Sequence, residues 1–96
     1  MPTIVHEDFE WDSDKADANL AKHSVSFEEA VTVLLRDDSE SFEDAQHDDR
    51  VVTIGWSIRA RTLFVVTTET TIRTRIISAR GATPAEHSRW TTKGKS

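Results

Sequence analysis

Nine of the chain's twelve Lys and Arg residues fall in residues 50–96: Arg50, Arg59, Arg61, Arg73, Arg75, Arg80, Arg89, Lys93 and Lys95. They face only Glu69 and Glu86 there, a local net charge of +7. A guanidinium group is a planar fork that stays ionised and donates paired hydrogen bonds to phosphate oxygens, so this half suits a polyanion. Strand alternation over Ile72–Arg80 sets Arg73, Arg75, Ile77 and Ala79 on one face and Thr74, Ile76, Ser78 and Arg80 on the other. Adjacent Ile76 and Ile77 mean that both faces are covered at that point or that a bulge intervenes. The plainer alternative is that Arg73 and Arg75 solvate an open sheet face, as Arg59 does in its turn. For proton transfer, His23 beside Lys22 has the side chain whose unperturbed pKa lies nearest neutrality; it serves equally as a helix C-terminal cap. His47 sits among carboxylates and reads as surface. Glu69, alone among cations at a strand end, is either a base or a salt-bridge partner. Trp56 and Trp90 offer rings for stacking or for the core, and Trp11 belongs to the core.

Residues 1–49 carry the opposite charge, fifteen carboxylates against three basic side chains, a net of −12. The overall −5 therefore hides two opposed halves, which either mark a nucleic-acid surface or neutralise each other. At 96 residues the chain makes one domain, 1–96, with a thin core, since 36% apolar residues is below the usual share. With no Cys there are no disulfides or thiolate ligands, which fits a reducing cytoplasm. The start MPTIVHEDFEW lacks the basic and apolar regions of a secretory leader, and no run is long enough for a membrane span. His47, Asp48 and Asp49 lack metal-ligand spacing, so neither metal nor cofactor is expected. No phosphate-cradling glycine loop and no serine nucleophile elbow occur.

These side chains need elements to hold them. FEWD at 9–12 reads as a short strand. Asp12 or Ser13 caps a first helix over Asp14–His23, with Ala16, Leu20 and His23 at helical spacing. Ser26 and Glu29 have capping-box spacing, and Phe27, Ala30, Val31 and Leu34 form the apolar stripe of a second helix. Residues 37–49, with seven acidic side chains and one Phe, read as a solvated loop. Val51–Ser57, Arg61–Thr68 and Ile72–Ala79 read as three strands with hairpin-length connections, hence an antiparallel meander. Thr83, Pro84 and Glu86 open a closing helix, and the tail 91–96 is expected to fray. The order is α+β.

FEWD at 9–12, Lys15, Asn19, Lys22-His23, VSFEEA at 25–30, Ile54-Gly55, Arg61, RIISAR at 75–80, Ala82 and Glu86 together resemble the BrnT family. The resemblance covers about residues 9–90. It implies a RelE-like fold, an antiparallel sheet with two N-terminal helices and a C-terminal helix packed on it. It further implies a ribonuclease toxin of a type II toxin–antitoxin system that halts translation and is neutralised by a BrnA-type antitoxin. The complex would repress its own promoter, with operator DNA reached only through the antitoxin. Metal-free RNA cleavage uses the ribose 2′-OH as nucleophile, so the site must remove that proton, stabilise a phosphorane-like charge and protonate the leaving oxygen. On that reading Arg75 and Arg80 are the phosphate and transition-state groups, and Arg50 and Arg61 converge from neighbouring strand ends. Glu69 and His23 are the proton-transfer candidates, with Lys22, Arg73 and Trp90 contacting RNA. The competing readings are a degenerate toxin that only binds its antitoxin, and a stand-alone DNA binder, for which no helix has a basic face. The acidic loop would be a built-in competitor for the RNA site.

Overall fold

The computed structural model describes residues 2–91. Nine elements follow one another: β1 (Thr3–His6), β2 (Phe9–Asp12), α1 (Ser13–His23), α2 (Phe27–Leu34), β3 (Glu40–Asp44), β4 (His47–Trp56), β5 (Thr62–Glu69), β6 (Thr74–Gly81) and α3 (Pro84–Thr91). All six strands share one sheet in the order β1-β2-β6-β5-β4-β3. The class is α+β as expected, and β3 to β6 form an antiparallel meander of four strands rather than three. The N-terminal hairpin β1–β2 joins it through a parallel pairing of β2 with β6, Phe9 opposite Thr74 and Glu10 opposite Arg75.

The expected loop at 37–49 is the main correction. Glu40–Asp44 is laddered to β4, with Phe42 opposite Val52 and Ser41 opposite Thr53, and only a tight turn at Ala45-Gln46 separates the strands. Asp44 Oδ1 accepts the Gln46 N–H at 2.9 Å and closes that turn. The composition argument failed because an edge strand needs its ladder bonds more than an apolar face, and charge on an edge discourages further pairing. Held this way, the acidic segment is a laddered edge rather than a loose loop, and its Asp44 lies within electrostatic reach of Arg50.

Two layers of helix enclose the sheet. On one face α1 and α2 cover Phe9, Trp11, Val25, Phe27, Ala30, Val31, Val33, Leu63, Val65, Ile76 and Ala79. On the other, α3 brings Trp90 onto Val52 and Ile54, with Trp56, Phe64 and Val66 around them. All three caps form through their N-terminal oxygen, Asp12 accepting from the Asp14 N–H, Ser26 from Glu29 and Thr83 from Glu86, while the Glu29 carboxylate goes to Arg61 instead of closing its capping box. Helix α1 docks differently from its apolar spacing, since Leu20 is 51% exposed while Asn19 is buried. β2 leaves β6 after Arg75, and the Asn19 amide continues the ladder there. It donates to Ala79 O at 2.7 Å and to Val25 O at 2.9 Å, and accepts from Ala79 N at 3.1 Å. Gly55 is required by close approach, because a Cβ there would stand 2.6 Å from Ser39 Oγ. Thr91 closes α3, and the rest of the tail, 92–96, lies outside the described residues.

Candidate functional site

The alternation expected along β6 is broken by one residue. Val66 pairs with Ser78 and Thr67 with Ile76, so Ile77 is bulged out of the register. Ile76 and Ala79 consequently both face α1 and α2, and Arg75 and Arg80 both take the opposite face, where simple alternation had separated them. Arg75 lies opposite Thr68, and Thr68 opposite Arg50, so Glu10, Arg75, Thr68 and Arg50 form one row across β2, β6, β5 and β4.

The row is charged and partly satisfied. Arg75 Nη1 donates to Glu10 Oε2 at 2.6 Å. Thr68 Oγ1 donates to Asp49 O at 2.6 Å. Arg50 Nε is buried with no hydrogen-bond partner, an orphan donor of the kind that calls for an acceptor. Arg50 and Arg75 stand two strands apart, roughly 10 Å between backbones, within reach of a common anion for side chains this long.

Arg80 stands at the far end of the same face. Four to five strand residues separate it from Arg75, roughly 13–16 Å, so in their present poses the two address successive phosphates rather than one. Arg80 Nη1 and Nη2 donate to Glu86 Oε1 and Oε2 at 2.8 and 2.9 Å, and its Cζ lies 4.1 Å from the Phe64 ring centroid. That fork holds the Glu86 carboxyl below its usual range, and the Thr83 N–H adds to the effect.

Between these ends, Lys15, Lys22 and His23 border a shallow concavity with Ile77 and Ser78, on the edge of β6 that no strand covers. His23 and Lys22 thus flank the arginine face without standing on it. Arg73 precedes β6, and its carbonyl accepts from Thr70 N and Oγ1 at 2.9 and 2.8 Å.

Three expected members lie elsewhere. Arg61 points to the helical side, because odd positions Arg61, Leu63 and Val65 share the core face. Its Nε donates to Glu29 Oε2 at 2.7 Å and its Nη2 to Ser24 O at 2.7 Å, which makes it a structural tie to α2. Glu69, on the same side as buried Thr67, accepts the Thr74 hydroxyl at 2.6 Å and lines a hollow with Phe9 and Arg36. Trp90 is 2% exposed, donates its Nε1–H to Asp38 O at 3.2 Å and meets Trp56 edge-on at 5.7 Å, so its ring is core rather than a stacking surface. Burial wins because α3 has no other large apolar side chain with which to dock.

Sequence reasoning missed Glu10 and Glu86, the carboxylates that orient Arg75 and Arg80. Glu86 carried a signal, its capping-box spacing from Thr83; Glu10 carried none, since its partner comes from a parallel pairing. Among the described residues no group of three or more His, Asp or Glu is placed to hold a metal ion, and no helix is long and apolar enough to cross a membrane.

Residues 11–86 match a family model described as the ribonuclease toxin, BrnT, of type II toxin-antitoxin system. The fold is similar to the crystal structure of the Brucella abortus ribonuclease toxin, BrnT, at 25% identity and a TM-score of 0.64, over 76% of this chain and 92% of that one. No curated protein matches the sequence.

Proposed function

Because this chain belongs to the BrnT family of ribonuclease toxins of type II toxin–antitoxin systems, we propose that it cleaves RNA on the α3 face of its sheet without a metal ion. The observation that carries this is the Arg50–Thr68–Arg75 row with its unpartnered Arg50 Nε. A phosphate over Thr68 would accept from both guanidinium groups, and the charge that builds on its oxygens in the transition state would strengthen those bonds. Glu10, in contact with Arg75 within the row, takes the 2′-OH proton as the 2′-oxygen bonds to phosphorus, and the P–O5′ bond breaks with the leaving 5′-oxygen taking a proton from solvent. Arg80 holds a neighbouring phosphate, and Lys22 and His23 guide the strand around the edge of β6. In the cytoplasm such cleavage would stop translation. A BrnA-type antitoxin neutralises the chain, and the complex represses their operon with the antitoxin alone touching operator DNA.

The test is cleavage of single-stranded RNA by purified protein in the presence of EDTA. Arg50→Ala and Arg75→Ala should each lower kcat/KM about 10²–10³-fold. Loss of activity on adding EDTA would reject the metal-free mechanism, and full activity in both variants would reject the row as the site. A second reading has its own support: Arg61, Arg75 and Arg80 are each paired with a carboxylate, as in a surface that is internally neutralised. If the unaltered chain binds its antitoxin but cleaves no RNA, this reading as a partner-binding module stands.

A further inference from the structure

Between the β3–β4–β5 surface and α3 runs a groove of about 240 Å³. Its walls are Phe42, Ile54, Phe64 and Trp90, and Glu40, Glu86 and Arg89 stand at its mouth. Phe42 is 39% exposed on β3, opposite buried Val52, with an apolar ring left open beside a cationic face. Phe64 forms the other aromatic wall and carries the Arg80 guanidinium 4.1 Å from its ring centroid. An aromatic slot that touches a phosphate-binding cation has the two halves of a nucleotide contact, a surface for the base and a charge for its phosphate.

We propose that this groove is a nucleobase subsite, which takes one unpaired base of the RNA between Phe42 and Phe64 while Arg80 holds that nucleotide's phosphate. The inference rests on the reading of the chain as an RNA-cleaving protein. The groove is smaller than the roughly 300–1,000 Å³ of sites for drug-sized ligands, which limits it to a single ring system. A phosphate does not suit the slot itself, because its walls are the apolar side chains Phe42, Ile54, Phe64 and Trp90. A base does, since every base has an apolar face for the rings. Paired RNA keeps its bases stacked inside the helix, so the subsite selects single strands.

The test uses a short single-stranded oligonucleotide with 2′-O-methyl riboses, which cannot be cleaved, and a set of the same strands with one abasic position each. Binding is read by fluorescence anisotropy. Phe42→Ala should weaken binding about 5- to 150-fold, the range for loss of one stacked base, and Phe42→Trp should restore it. One abasic strand should bind the unaltered protein as weakly as the intact strand binds Phe42→Ala, with no further loss when the two changes are combined. Circular dichroism of Phe42→Ala should show a folded protein, since the ring is half open to solvent. Equal affinity of unaltered protein and Phe42→Ala for the intact strand, with RNA cleavage retained, would overturn the subsite alone. No RNA binding by the unaltered protein would overturn the subsite and the reading beneath it together.

Discussion

Glu29 joins the second helix to the far end of the sheet. Its side chain is 4% exposed and receives Arg61 Nε and Ser57 Oγ, each at 2.7 Å. Spacing from Ser26 suggested a reciprocal capping box; the Ser26 hydroxyl does cap, while the Glu29 carboxylate is spent on Arg61. The Arg61 hydrogen bond, opposed by burial and helped by Ser57, lowers the Glu29 pKa from 4.5. A folded-state pKa below the unfolded one contributes stability that is complete above the unfolded value and is lost as the pH falls through the lowered value. Glu29→Gln should therefore cost about 1–3 kcal/mol at neutral pH, less than a fully buried pair because Arg61 keeps solvent contact. Urea unfolding at neutral pH and at about pH 3 checks this: the gap between variant and unaltered protein should shrink in acid. A gap that stays constant would mean that the loss does not come from the ionised carboxylate. Arg75 and Arg80 differ in that their carboxylates stand on the open face, where an incoming phosphate can compete for the same guanidinium donors.

At the level of elements, β6 is the strand on which the site depends, and it has two irregularities. Its bulge at Ile77 places Arg75 and Arg80 on one face, and its uncovered edge is closed by a side chain rather than a strand. Asn19→Ala would leave Ala79 N–H and C=O and Val25 O without partners in a buried place, at about 1–3 kcal/mol for each group left unsatisfied, partly offset by water entry. We expect a total loss of about 2–4 kcal/mol, and fast hydrogen exchange at the Ala79 amide, measurable by NMR. Slow exchange at Ala79 in that variant would mean the amide pairs elsewhere. Trp90 illustrates the same dependence from the other side: its buried indole is the large apolar side chain by which α3 packs on the sheet. Thr83 and Glu86 form the helix cap foreseen from their spacing, and Glu86 simultaneously grips Arg80, which ties the start of α3 to the arginine face.

Over the whole molecule, the two oppositely charged halves of the chain meet: Arg75 pairs with Glu10, and Arg50 stands within electrostatic reach of Asp44. The acidic residues of β3 and of the β3–β4 turn lie at one sheet edge, and the arginines of β4 and β6 share a face bounded by α1 and α3. RNA binding should weaken with salt because each neutralised phosphate releases counterions. With three or four phosphate contacts from Arg50, Arg75, Arg80 and Lys22, log K should fall with log salt at a slope of about −2 to −3. That is about a 15- to 65-fold loss between roughly 50 and 200 mM salt, measured by anisotropy. A flat response would mean the carboxylates of Glu10 and Glu86 keep these cations occupied.

The sequence by itself determined the class of the fold, the N-cap side chains of the three helices, the three long strands and the helix that ends the described chain. These rest on hydrogen bonds and apolar spacing within a dozen residues, which local order exposes. The resemblance of FEWD, VSFEEA and RIISAR also sufficed to point to the family. Only the tertiary structure decided which arginines stand together. A one-residue bulge moved Arg80 to the side of Arg75, strand parity sent Arg61 to a carboxylate on α2, and a parallel strand delivered Glu10. Each depends on pairing between segments far apart in the chain, where a shift of one residue reverses the face that a side chain occupies.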